Sequence, residues 1–111
     1  MFEDDEIRLR HVLDAASEAV DFIKGHRRVD LDTDRKLSLS LVRLLEIIGE
    51  AAKGVTMEFR GEHSELPWKR MIGMRDRLIH GYFDVNLDVV WETVTNDLPP
   101  LIDKLKKIVA R

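Results

Sequence analysis

No cysteine occurs in the 111 residues, which excludes disulfides and thiolate metal sites and fits a reducing compartment. No apolar run approaches the roughly 20 residues that a bilayer-spanning helix needs. The opening stretch, MFEDDEIRLR, is acidic and lacks the basic-then-apolar order of a signal peptide, so the expectation is a cytoplasmic protein without a membrane partner. A large excess of one sign of charge is missing as well. A net charge of −3 argues against a chain that coats nucleic acid over its whole surface, while leaving room for a local basic site. Strand-like alternation, internal repeats and low-complexity segments are all missing. Three of the histidines, His11, His26 and His63, show no close ligand spacing, so no metal site is expected, and no cofactor.

What is present is helical. Hydrophobic residues make up 44% and charged residues 35%, an ordinary balance for one domain with one modest core, spanning residues 1–111. A first helix is expected from about Asp4 to Lys24, on the stripe Leu9, Val12, Leu13, Ala16, Ala19, Val20 and Ile23, with Gly25 as its stop. A second opens near Asp32 or Thr33 and runs to about Glu58 on Leu37, Leu41, Leu44, Leu45, Ile48, Ala52 and Val55. Leu39, Val42 and Ile47 widen its apolar arc beyond what one intramolecular partner needs, which favours a central position or cover from a second subunit.

The polar stretch RGEHSEL reads as a loop, after which Pro67 opens a third helix that ends near His80, capped by Gly81. Asn86 caps a fourth, whose stripe from Leu87 through Val90, Val94, Leu98, Leu101 and Leu105 to Val109 keeps its phase across Pro99 and Pro100. The prolines therefore predict a kinked continuation rather than two unrelated helices. The fold class is all-α: an up-and-down bundle of four to five helices.

The stretch RDRLIHGY, residues 75–82, does not fit a purely structural helix. With successive residues 100° apart, Met71, Ile72, Leu78 and Ile79 cluster on one side and Arg75 falls among them. A buried guanidinium is costly unless a carboxylate or phosphate answers it. Asp76 and His80, four apart, stack on one flank, where the carboxylate can hold one imidazole nitrogen and leave the other free. A helix C-terminus at His80 also favours the protonated ring. Together these residues supply a phosphate clamp, a proton carrier and an orienting acid, a set suited to metal-free phosphodiester cleavage.

Arg75 and His80 lie about 140° apart on an ideal helix, so two copies meeting at this face would aim them at one phosphate better than one. The structural alternatives stay open. Arg75 can equally be an ion pair with Glu46 or Glu50, His80 a helix cap, Tyr82 a packed aromatic, and Trp68 and Trp91 are expected in the core.

Arg75, four residues, His80, one residue, Tyr82 reproduces the R-x4-H-x-Y motif of HEPN-domain proteins. The chain most resembles the HepT toxin family, whose partners are MNT-type minimal nucleotidyltransferase antitoxins. LLEIIGEAAKGV, residues 44–55, is similar to that family's second helix, and the span from Leu66 to Leu105 is similar to its third and fourth.

The resemblance implies a homodimeric HEPN-like bundle acting on RNA as a metal-independent endoribonuclease. Arg75 and His80 would be the catalytic pair at a cleft shared by both subunits, and Asp76 a supporting residue where the family commonly has asparagine. It further implies that Tyr82 accepts AMP from a cognate nucleotidyltransferase, placing bulk and negative charge where RNA enters. The alternative is a non-catalytic helical partner that helps a nucleotidyltransferase bind its substrate.

Overall fold

A computed structural model describes residues 3–80 and 84–109. Its elements are α1 (Glu3–Phe22), α2 (Asp30–Thr33), α3 (Arg35–Lys53), α4 (Met57–Glu62), α5 (Trp68–Ile72), α6 (Met74–Leu78), β1 (Ile79–His80), β2 (Asp84–Val85), α7 (Leu87–Glu92), a π-helical segment (Thr93–Asp97) and α8 (Leu98–Val109). The expected all-α bundle is what the chain forms. α1 packs on α3 and α8, and α3 packs on α5 and α6.

The stripes named above supply the core. Leu9, Val12, Ala16 and Ala19 of α1 are fully buried, and their mix of large and small side chains lets α1 lie closely along α3. From α3 the core takes Leu37, Leu41, Leu44, Leu45, Ile48 and Ala52, and also Val42, while Leu39 stays exposed and Ile47 half-buried. Trp68 and Trp91 are half-buried at the edge of the core.

Three boundaries differ from the sequence expectation, each for a local reason. Asp34, not Asp32 or Thr33, caps α3, its side chain accepting the Leu37 N–H at 3.1 Å. That helix stops at Lys53 rather than Glu58. Beyond it Asp5, buried in α1, accepts from the Thr56 N–H at 2.9 Å and from its hydroxyl at 2.7 Å. Thr56 in turn caps α4 by accepting the Phe59 N–H, so Arg60, Gly61 and Glu62, expected in a loop, are helical. The third helix is divided at Gly73 and ends at Leu78. Ile79 is extended (φ −123°, ψ 125°) and pairs antiparallel with Val85, as His80 does with Asp84. A minimal two-stranded ladder thus stands where only helix was expected.

The last helix does continue from Leu87 to Val109, and its interruption takes the form of a π turn. The Leu98 N–H donates to the carbonyl of Thr93, five residues back. Pro99 and Pro100 follow at once and bring no N–H to the ladder. The hydroxyls of Thr93 and Thr95 bond back to Val89 and Trp91 carbonyls at 2.6 and 2.8 Å, which also loosens regular winding here. Phase survives: Val90, Val94, Leu98, Leu101, Leu105 and Ile108 are all buried.

At one end of the bundle Arg28 joins α2 to α7, donating to Asp88 at 2.7 Å and to Asp32 at 3.1 Å. Nearby, the Asp30 carboxyl is held below its ordinary value, first by the Arg27 backbone N–H at 2.9 Å and then by the His26 ring at 3.0 Å.

Candidate functional site

The segment that carries the motif is positioned by a glycine. Gly49 is buried in α3, and a side chain there would begin 3.0 Å from the Met71 carbonyl and 3.5 Å from Met74 Cβ. Its bare Cα lets the end of α5 and the start of α6 settle directly on α3. Arg75 and Asp76 consequently stand beside Glu46, Glu50 and Lys53, lining a cleft of about 330 Å³.

Arg75 donates from Nε to Glu46 Oε2 at 3.2 Å. Its side chain is 61% exposed, against 21% for that of Glu46. This corrects the expectation of a guanidinium embedded in an apolar face. The wheel drawn through residues 68–80 assumed one uninterrupted helix, and the break at Gly73 turns Arg75 away from Met71 and Leu78, which are buried. The ion pair with a second-helix acid, one of the two readings open from sequence, is present. It engages only Nε, so among the described residues the two terminal nitrogens have no partner, and the side chain that carries them is mostly exposed.

Asp76 is exposed beside Arg75. The expected stacking of Asp76 under His80 required helix through residue 80. Since α6 ends at Leu78 and His80 is in an extended pair with Asp84, there is no helix C-terminus at His80, and the helical register on which that stacking depended stops two residues short of it. The His80 side chain lies outside the described residues, as do Gly81, the expected cap, and Tyr82, the expected modification site. On the described residues either side, β1 and β2 pair antiparallel, and the Asn86 N–H donates to the Leu78 carbonyl at 2.8 Å. Asn86 caps α7 as expected, accepting the Val89 N–H.

Among the described residues no group of three or more histidine, aspartate or glutamate side chains is placed to hold a metal, and no helix is long and apolar enough to cross a membrane.

Sequence reasoning missed two features around the motif. One is the role of Gly49, whose only signal is a glycine inside the otherwise apolar run LLEIIGEAA. The other is that Arg77, two residues from Arg75, turns to the opposite side and approaches Asp97 of the π segment together with Arg70.

The profile of the ribonuclease HepT-like family matches residues 12–108. The chain belongs to this family. It is 43% identical to a provisionally named RNase of Caldanaerobacter subterraneus subsp. tengcongensis, over 93% of this chain and 92% of that one. It is 41% identical to a ribonuclease HepT, also provisionally named, of Thermococcus cleftensis, over 86% of this chain and 91% of that one. A provisionally named RNase of Methanocaldococcus jannaschii is 33% identical over 91% of this chain and 84% of its own length. No solved structure matches the chain at a significant level. The resemblance read from the motif is thus borne out at the level of the HEPN fold and the HepT-like ribonuclease family.

Proposed function

We propose that this chain is the toxin subunit of a HEPN/MNT type toxin–antitoxin pair and acts as a metal-independent endoribonuclease. The observation that carries this reading is the half-engaged Arg75: an exposed cation paired at Nε with Glu46, its terminal nitrogens without a partner among the described residues, lining a cleft at the R-x4-H-x-Y motif. A guanidinium so held presents two parallel donors to phosphoryl oxygens without reorganising.

In the reaction, the ribose 2′-OH attacks the adjacent phosphorus. The new O–P bond closes a 2′,3′-cyclic phosphate as the bond to the 5′-oxygen breaks. His80 takes the hydroxyl proton, and an imidazolium returns a proton to the departing oxygen. Arg75 stabilises the charge that builds on the non-bridging oxygens.

The active form in this reading is a homodimer. A second cleft of about 500 Å³ between α1 and α3, lined by Ile7, Arg8, His11, Ile47 and Ala51, shares Glu50 with the Arg75 cleft. Ile7 is 47% exposed there and Ile47 half-buried. A second copy covering Ile7, Ile47 and Ala51, which lie among the polar Asp4, Arg8, His11 and Glu50, would bring its own motif beside the first. The partner nucleotidyltransferase silences the enzyme by transferring AMP to Tyr82.

The test is RNA incubated in EDTA with wild type, His80→Ala and Arg75→Ala. Cleavage by wild type that both variants lose supports the assignment. Equal cleavage by all three refutes it, and RNA binding without cleavage by wild type points to the non-catalytic partner role. Ile47→Lys should yield a monomer by sedimentation and lose activity with it. For Tyr82, intact mass after incubation with the nucleotidyltransferase and ATP should rise by one or more AMP groups, and Tyr82→Phe should abolish the rise.

A further inference from the structure

Arg70 of α5 and Arg77 of α6 converge on a single oxygen of Asp97, at 3.0 and 3.8 Å. One carboxylate cannot neutralise two guanidiniums, so the cluster keeps a surplus positive charge on a chain whose net charge is −3. Both arginines remain accessible, at 58% and 37% of their side-chain surface. They stand over a groove of about 190 Å³ walled by Pro67 and Pro100, with the nearly buried Met71, Met74 and Leu101 beneath it. The groove therefore sets anion-binding donors beside apolar walls. It sits against the π turn at Thr93–Asp97, which contributes Asp97.

The relation to the motif is set by α6 itself. Arg75 and Arg77 are two residues apart, about 200° around the helix, so Arg75 looks toward α3 and Arg77 toward the π segment. A strand lying across the short α6 meets a cation on each side.

We propose that this groove is a substrate subsite: a nucleotide flanking the scissile bond places its phosphate on Arg70 and Arg77 and its base against Pro67 and Pro100. Asp97 acts as a stand-in that holds both guanidiniums until a phosphate displaces it. Proline faces make no base-specific hydrogen bond, so the subsite adds affinity and register with little sequence preference. The inference rests on the RNA-directed reading above, and its test has a readout independent of cleavage.

Binding of a short fluorescein-labelled single-stranded oligouridylate is followed by anisotropy in a His80→Ala background, which removes turnover. Arg70→Ala/Arg77→Ala should weaken binding by roughly 5- to 50-fold and lower the slope of log affinity against log salt by about 1–2. Arg70→Lys/Arg77→Lys, which keeps the charge, should retain most of the salt slope. The deciding variant is Asp97→Asn. With the competing carboxylate removed, affinity should rise severalfold, whereas a purely structural ion pair predicts unchanged or weaker binding.

Unaltered affinity and salt slope in the double alanine variant, with the fold intact by circular dichroism, would overturn the subsite, as would no gain in Asp97→Asn. A changed sedimentation mass without a change in RNA affinity would assign the groove to a protein contact instead, and overturn it too. If wild type proves not to cut RNA, the nuclease reading fails while this titration still decides the subsite.

Discussion

Glu46 and Arg75 meet across α3 and α6 at 3.2 Å, and the carboxylate is the more buried of the two. The acid therefore anchors and the arginine reaches outward. A mostly exposed pair of this kind contributes ~0–1 kcal/mol to stability. Glu46→Gln should leave the melting temperature nearly unchanged. Because the carboxylate fixes Nε and so aims the terminal nitrogens, the same variant should cleave RNA severalfold more slowly, which an initial-rate assay in EDTA will show.

Asp76 shares the cleft with Arg75 and adds a negative charge where a phosphate would approach. Asp76→Asn should raise RNA affinity severalfold at low ionic strength, with the advantage shrinking as salt screens the repulsion. Titrations at two salt concentrations check both halves of that statement.

Gly49 governs how closely the motif segment lies on α3. Gly49→Val should push α5 and α6 outward, cost about 1–3 kcal/mol in urea denaturation and reduce any RNA-directed activity. Gly61→Ala is the matched control, since a side chain there meets nothing within 4 Å, and it should behave as wild type.

Asp5 is 2% exposed and bonds twice to Thr56. Thr56→Val removes the hydroxyl donor and the α4 cap together, and Asp5→Ala strands the Thr56 N–H. Each should cost ~1–3 kcal/mol, measured by equilibrium unfolding.

Asp30 is stabilised in its ionised form by the Arg27 N–H and then by His26. A depressed folded-state value means its contribution is full above the unfolded-state carboxyl range, near pH 4, and is lost as the pH falls through the lower folded value. Wild type and Asp30→Asn should therefore differ most in denaturant midpoint near neutral pH and converge in strong acid.

The helical stripes are legible because burial follows the 3.6-residue period: most stripe residues are buried, and Leu13, Val20, Ile23 and Ile102 are half-buried against the core. Boundaries were less so. Asp34, Thr56 and Asn86 all cap helices, but only Asn86 is legible: Asp32 and Thr33 compete with Asp34, and Thr56 lies inside a stripe that reads as one helix to Glu58. The end of α3 depends on Asp5, 51 residues away from Thr56, and no local pattern carries that contact. At the site, the Glu46–Arg75 pair was foreseeable from residue types, whereas the exposure of Arg75 was not. It follows from Gly73 interrupting a helix whose apolar spacing runs straight through it.

The widened turn before Pro99 and Pro100 binds two peculiarities of the chain together. A π turn is an α-helix carrying one surplus residue. Deleting a residue between Thr93 and Asp97 would restore ordinary winding and leave the inward-facing side chains aligned. The ring of each proline would then press on the carbonyl four positions earlier, which the looser coil now spares it. Shortening this stretch and replacing the prolines are thus changes that would have to occur jointly, and a variant carrying one without the other should be the less stable protein.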